Sequence, residues 1–155
     1  MPTPITSPAA DTSSPFVSWK VEHVGIRVPD FDAAVAWYTE KLDFRLTHSL
    51  SLGDLTYTFT SAAADDRFNF ELVSGPGADS RPPYEDLRAS LKLSGWHHMC
   101  FRVDSVQDTV DELKRRGVTI ISEPHNVAVM GLRLAFFADP WGNLFEVIQS
   151  LIDQL

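Results

Sequence analysis

His98 follows His23 by 75 positions, and Glu146 follows Glu71 by the same 75. Two imidazoles and two carboxylates form a donor set suited to a divalent ion such as Zn, Ni, Co, Mn or Fe(II), and the lack of thiolates argues against a structural zinc site. Both glutamates stand in apolar company, Glu71 among Phe70, Leu72 and Val73, and Glu146 among Phe145, Val147 and Ile148. A carboxylate there is expensive to bury unless it is paired or holds a metal. One such His or Glu taken alone would ordinarily be a solvent-facing or ion-paired strand residue. The four at one matched offset point instead to a single metal bound by His23, Glu71, His98 and Glu146.

The offset belongs to longer segments. Val21-Glu-His-Val-Gly-Ile-Arg-Val28 falls on Trp96-His-His-Met-Cys-Phe-Arg-Val103, and Phe70-Glu-Leu-Val73 falls on Phe145-Glu-Val-Ile148 with no gap. The chain therefore reads as a duplication, a possibility to examine before any other organisation. In the first half a strand over 23–28 precedes a helix from Phe31, whose apolar positions Phe31, Ala34, Val35, Tyr38 and Leu42 recur at spacings of three and four. In the second half Val106, Val110 and Leu113 match them, with Ser105 and Asp108 as a variant capping box and Gly117 as the stop. Strands are expected near 45–51, 55–61 and 68–73, then near 119–122, 132–138 and 144–149. Each half reads βαβββ, an α+β class. The expected organisation is a disordered tail over 1–18, a first module over 19–75, a linker over 76–95 with a short helix near 84–93, and a second module over 96–155.

Side chains alternate across a strand. His23, Gly25 and Arg27 should share one face, as should His98, Cys100 and Arg102. His97 should then point away from His98 and not be a ligand. His48 and His125 are expected in or near loops as ordinary exposed histidines, and Cys100 as a small buried residue or one lining the site. Arg27 and Arg102 are expected in structural ion pairs beside Asp30 and Asp104. Trp37, Tyr38, Phe44 and Phe59 are read as core, whereas Trp141, in the turn at 139–143, is the better pocket residue.

At 155 residues the chain suits one compact domain or two very small ones, long enough for a self-sufficient core, and 44% apolar with 22% charged residues is ordinary for a globular protein. A net charge of −8 argues against a nucleic-acid partner. No apolar run approaches the roughly 20 residues needed to span a membrane. The first 18 residues lack the basic start and apolar centre of a secretory signal. Cys100 is the one cysteine, so no internal disulfide can form. These readings together imply a cytoplasmic protein.

Three segments, His23-Val-Gly-Ile-Arg-Val-Pro-Asp30, His98-Met-Cys-Phe-Arg-Val-Asp104 and Asp139-Pro-Trp-Gly-Asn-Leu-Phe-Glu146, carry a family likeness. Over about residues 19 to 150 the chain resembles the vicinal oxygen chelate superfamily, which includes glyoxalase I, methylmalonyl-CoA epimerase and extradiol dioxygenases. The resemblance implies two tandem βαβββ modules forming a cupped, open-barrel mixed sheet with helices outside, often in a homodimer. It also implies one divalent metal that chelates a small-molecule substrate through two adjacent oxygens. All four positions of the glyoxalase I pattern are filled here. By that likeness the chain is a lyase or isomerase that stabilises an enediolate, with Glu71 or Glu146 as the catalytic base. An Fe(II) extradiol-type dioxygenase using His23, His98 and Glu146 is the alternative. An acyl-CoA epimerase is less well matched, since those enzymes carry a Glu on the strand after the first helix and 46–52 has none. Metal-free drug-binding relatives generally lack the His/Glu set.

Overall fold

The computed structural model describes residues 9–151. The expected tail lies outside the described residues as far as position 8; from 9 to 18 the chain forms turns, with the Phe16 ring against Trp19. The first half runs β1 (His23–Arg27), α1 (Phe31–Leu42), β2 (Arg45–Leu52), β3 (Leu55–Ala62) and β4 (Asp65–Ser74). A single helical turn, α2 (Leu87–Ser90), precedes the second half: β5 (His98–Arg102), α3 (Val106–Arg115), β6 (Thr119–Val127), β7 (Leu132–Ala138) and β8 (Leu144–Ser150).

Local chemistry sets the helix ends. The Asp30 carboxylate accepts from the Ala33 amide at 2.7 Å, and Ser105 Oγ accepts from the Asp108 amide at 3.2 Å. Each side chain satisfies a donor that the first helical turn leaves free. At the far end of α1, Asp43 adopts a left-handed conformation that returns its N–H to the Tyr38 carbonyl.

The eight strands form two mixed four-stranded sheets ordered β1-β4-β3-β2 and β5-β8-β7-β6. Within each, the first and last strands of the half pair in parallel. Phe70 and Leu72 of β4, Phe145 and Val147 of β8, Tyr38 of α1 and Val110 of α3 all join one core. That core lies on the helix side of both sheets, so the helices sit outside the faces that carry Glu71 and Glu146.

Two expectations change. Strand β6 continues past 122 to Val127, with register shifts on either side of Ser122; it is an edge strand, where Pro124 removes no ladder bond. His125 consequently lies on strand β6, and His48 lies within β2, inside the strand expected over 45–51.

Candidate functional site

The parallel pairing of β1 with β4 sets Gly25 beside Glu71, and that of β5 with β8 sets Cys100 beside Glu146. On the other flank stand Phe59 of β3 and Phe136 of β7. His23 begins β1 on the Glu71 face, and its Nε2 lies 3.8 Å from Glu71 Oε2. His98 begins β5 in the same way, with Nε2 3.3 Å from Glu146 Oε2. The glutamate side chains are 13% and 15% exposed, low values for carboxylates with no Lys or Arg ion pair among the described residues. Phe59 presents an edge contact to His23 at 5.5 Å, as Phe136 does to His98 at 5.3 Å. These aromatics escape a sequence reading, since they adjoin the glutamates only through the antiparallel register of β3 and β7. Phe59 therefore belongs to the site face, and not to the core expected for it.

These separations test the fit of a metal. Two donors each bound at ~2.1 Å to one ion are about 3.0 Å apart at a right angle and about 3.4 Å apart at a tetrahedral one. Both His/Glu pairs sit at or a few tenths beyond that spacing, and both aim Nε2 at the carboxylate. The donor set fits a divalent ion.

Gly25 is what makes room in the first half. A Cβ at that position would meet Glu71 Oε2 at 2.8 Å. The colliding atom ends a flexible side chain, so Gly25→Ala should move the carboxylate and spare the fold. The expected result is divalent-ion binding about tenfold weaker by calorimetric titration, with stability changed by less than about 0.5 kcal/mol in thermal melts. In the second half Cys100 occupies the matched place, an exposed residue whose thiol is pushed up to about 12 by burial and by the neighbouring Glu146 carboxylate. A thiol held protonated is not a thiolate ligand.

One chain does not gather the four ligands. Among the described residues no three His, Cys, Asp or Glu side chains come together as a metal site. The pairs stand on separate sheets, each facing away from the shared core. Among the described residues strands β1 and β5 pair on one side only, so each leaves an open edge beside its histidine. Trp19, Val21 and Trp96 project next to those edges, Trp96 being 88% exposed.

Other candidates fall into place around the pairs. Arg27 makes no ion pair with Asp30; its guanidinium donates to the carbonyls of Val28, Val73, Gly75 and Pro76, tying the strand end to the chain leaving β4. Arg102 makes no ion pair with Asp104. Tyr38 and Phe44 are core, with Trp37 packed against it. His48 stacks on Phe59 at 4.4 Å, on the site face of the first sheet. His125 bonds the Glu123 carbonyl and stays apart. Trp141 and Tyr84 line a cavity of about 470 Å³ together with Arg27 and Arg81. His97 does not turn away: its Nδ1 is 2.8 Å from His98 Nδ1.

The turn before β8 explains the Asp-Pro-Trp-Gly-Asn motif. Asp139, 4% exposed, accepts from the Trp141 and Asn143 amides, the Asn143 side-chain amide and the Tyr38 hydroxyl. Burial raises its pKa, with the bonds from Asn143, Tyr38 and Trp141 opposing that rise. The motif thus aims the strand that carries Glu146.

Residues 20–147 match the family described as the Glyoxalase/Bleomycin resistance protein/Dioxygenase superfamily. The chain belongs to that superfamily. Among its relatives is a 2-epi-5-epi-valiolone epimerase from Actinomyces sp, 30% identical over 148 residues and covering 83% of this chain and 78% of the relative. Human mitochondrial methylmalonyl-CoA epimerase is 28% identical over 135 residues, covering 84% and 74%. A glyoxalase I mutant from Zea mays superposes with a TM-score of 0.66 at 25% identity, over 85% of this chain and 48% of that one. No helix among the described residues is long and apolar enough to cross a membrane.

Proposed function

We propose that this superfamily member is a divalent-metal-dependent lyase or isomerase of glyoxalase type, with each metal held by His23 and Glu71 of one chain and His98 and Glu146 of a second copy. The observation that carries this reading is the duplicated His/Glu pair, one copy at the spacing of two donors on one ion and the other a few tenths of an ångström beyond it. Two half-sites on opposite modules, each beside an open strand edge, suit a twofold assembly in which β1 of one chain meets β5 of its partner. The apolar Trp19, Val21 and Trp96 would be covered in such an assembly.

When bound, the ion supplies Lewis-acid polarisation of two adjacent oxygens on a small substrate, which acidifies the neighbouring C–H. The protein's share is positioning and proton transfer. Glu71 or Glu146 takes the proton from the carbon bearing one oxygen and returns it to the adjacent carbon, so that no oxidant is consumed. Phe59 and Phe136 wall the histidines and keep that carboxylate poorly hydrated.

Purified protein stripped of metal and titrated with Zn²⁺ or Ni²⁺ is expected to take up one ion per chain, and His98→Ala should abolish tight uptake. Glu71→Gln and Glu146→Gln, loaded with metal, separate the roles: the variant of the base should lose at least about a hundredfold in turnover. Full turnover by either loaded variant rules that residue out as base. No uptake by the parent protein sinks the metal reading.

Relatedness to two epimerases favours one second reading, proton transfer at a carbon next to an acyl group. Strand β2 carries no carboxylate, only His48, on the side of the sheet that bears the site. Solvent-deuterium exchange into an acyl-CoA, compared with isomerisation of a hydroxy-ketone adduct and with oxygen uptake on catechols, distinguishes the chemistries.

A further inference from the structure

The residue just before each ligand histidine is engaged with that histidine's inner nitrogen. His97 Nδ1 lies 2.8 Å from His98 Nδ1, and Glu22 Oε2 contacts His23 Nδ1. Glu22 and His97 are themselves matched by the 75-residue offset. Within a strand such neighbours would point to opposite faces. Both stand one position before the strand begins, outside the regular pleat, where a side chain can swing back to its neighbour.

The second half carries the contact further. His97 Nε2 is 2.9 Å from Ser90 Oγ, and Ser90 is 2% exposed at the end of α2. Ser90 Oγ is also 2.6 Å from the Leu87 carbonyl, which can only accept, so the hydroxyl proton is committed there. Ser90 must then accept from His97 Nε2–H. A neutral His97 with its proton on Nε2 offers a bare Nδ1, and His98 Nδ1–H must be the donor to it. One direction satisfies the whole chain, and it leaves His98 Nε2 without a proton. In the first half a carboxylate can only accept from the ring, so Glu22 selects the same tautomer of His23.

We propose that His97 and Glu22 are positioning residues that hold the protons of His98 and His23 on Nδ1 and turn each bare Nε2 toward the glutamate pair. This rests on the reading of the histidines as metal ligands, and it assigns α2 a role, since Ser90 anchors the second chain of bonds. A metal-ligating imidazole held through its other nitrogen loses typically 10–100-fold in metal affinity when that partner is removed. The larger loss is expected at His97, which is half-buried, because Glu22 is exposed and its bond is screened by water and salt.

The test is nitrogen NMR of the metal-free protein with labelled histidine, at about pH 8.5 where free imidazoles are neutral, beside Zn²⁺ titration calorimetry. His98 and His23 are expected as Nδ1–H tautomers in the parent protein. His97→Phe should release His98 toward the Nε2–H form and weaken Zn²⁺ by at least about tenfold. His97→Asn, whose side-chain oxygen can stand in for the Nδ1 acceptor, should restore most of both. Glu22→Leu should act on His23 in the same sense and Glu22→Gln should rescue it. Ser90→Ala, which cuts the chain remote from the ligand, should shift His98 in the same direction by a smaller amount, and it serves should His97→Phe lose its native amide spectrum. An Nε2–H tautomer at His98 in the parent, or a tautomer and affinity unmoved by His97→Phe and Ser90→Ala, overturns the proposal. If the parent binds no Zn²⁺ the metal reading fails, whereas the tautomers of the metal-free protein still decide the positioning claim.

Discussion

Mixing Glu71→Ala chains with Glu146→Ala chains is expected to create metal sites that neither variant forms alone. Each variant retains one intact half-site, the His98/Glu146 pair in the first and the His23/Glu71 pair in the second. If every site takes one pair from each of two copies, a dimer of unlike variants holds one site with both glutamates and one with neither. Random exchange makes about half the dimers unlike, so about a quarter of all sites should recover. Tight Zn²⁺ uptake in the mixture, measured after a cycle of mild denaturant and refolding to exchange subunits, should reach about a quarter of the parent value. A site assembled inside one chain predicts none, since each chain would lack a ligand. Size-exclusion chromatography should find the parent protein as a dimer; a monomer that binds one tight ion per chain would contradict the shared site.

This expectation also marks where sequence reading stops. Period-two alternation and a repeat offset were enough to single out His23, Glu71, His98 and Glu146, whereas it is the parallel pairing of the first and last strands that sets His23 with Glu71 and His98 with Glu146. A repeat states that the halves are alike, not whether a half closes on its own chain or on another. In this chain the helix-side faces merge into one core and the ligand faces diverge, an outcome decided by packing between distant segments. The errors are local and instructive. Alternation sends His97 away from His98, but His97 stands one residue before the strand whose pleat enforces alternation. The apolar nature of Phe59 suggests core, although its partner Glu71 places it on the site face. Arg27 found four carbonyls where a nearby Asp suggested an ion pair, since a guanidinium fork can satisfy several acceptors at a chain reversal.

Tyr38→Phe is expected to destabilise the protein more than the loss of one hydroxyl at its surface could. Tyr38 is fully buried on α1 of the first half, and its hydroxyl donates at 2.7 Å to Asp139 in the turn that launches β8 in the second. The bond joins the halves and goes to a carboxylate that burial has stripped of water, so its removal leaves a charged acceptor one donor short. Hydrogen bonds to charged groups contribute about 1.5–3 kcal/mol, which for a chain of this size is roughly 4–10 °C in Tm. The pH dependence follows from the same contact. Burial holds the Asp139 pKa above its ordinary value, and the Tyr38 bond pulls it back down by favouring the charged form. Between the unfolded value near 3.8 and the raised folded value the native state holds the extra proton, so stability falls as pH rises through that window. Without the hydroxyl the folded pKa rises further, so the window widens and the total fall is larger. The gap between parent and variant should therefore be larger above that window, where the carboxylate is charged, and should shrink as the pH drops through it. Melts of the two proteins from pH 7 down to pH 4 measure this directly. Equal Tm at pH 7, or a gap that widens toward acid, would mean that Asp139 does not depend on Tyr38 for its charge.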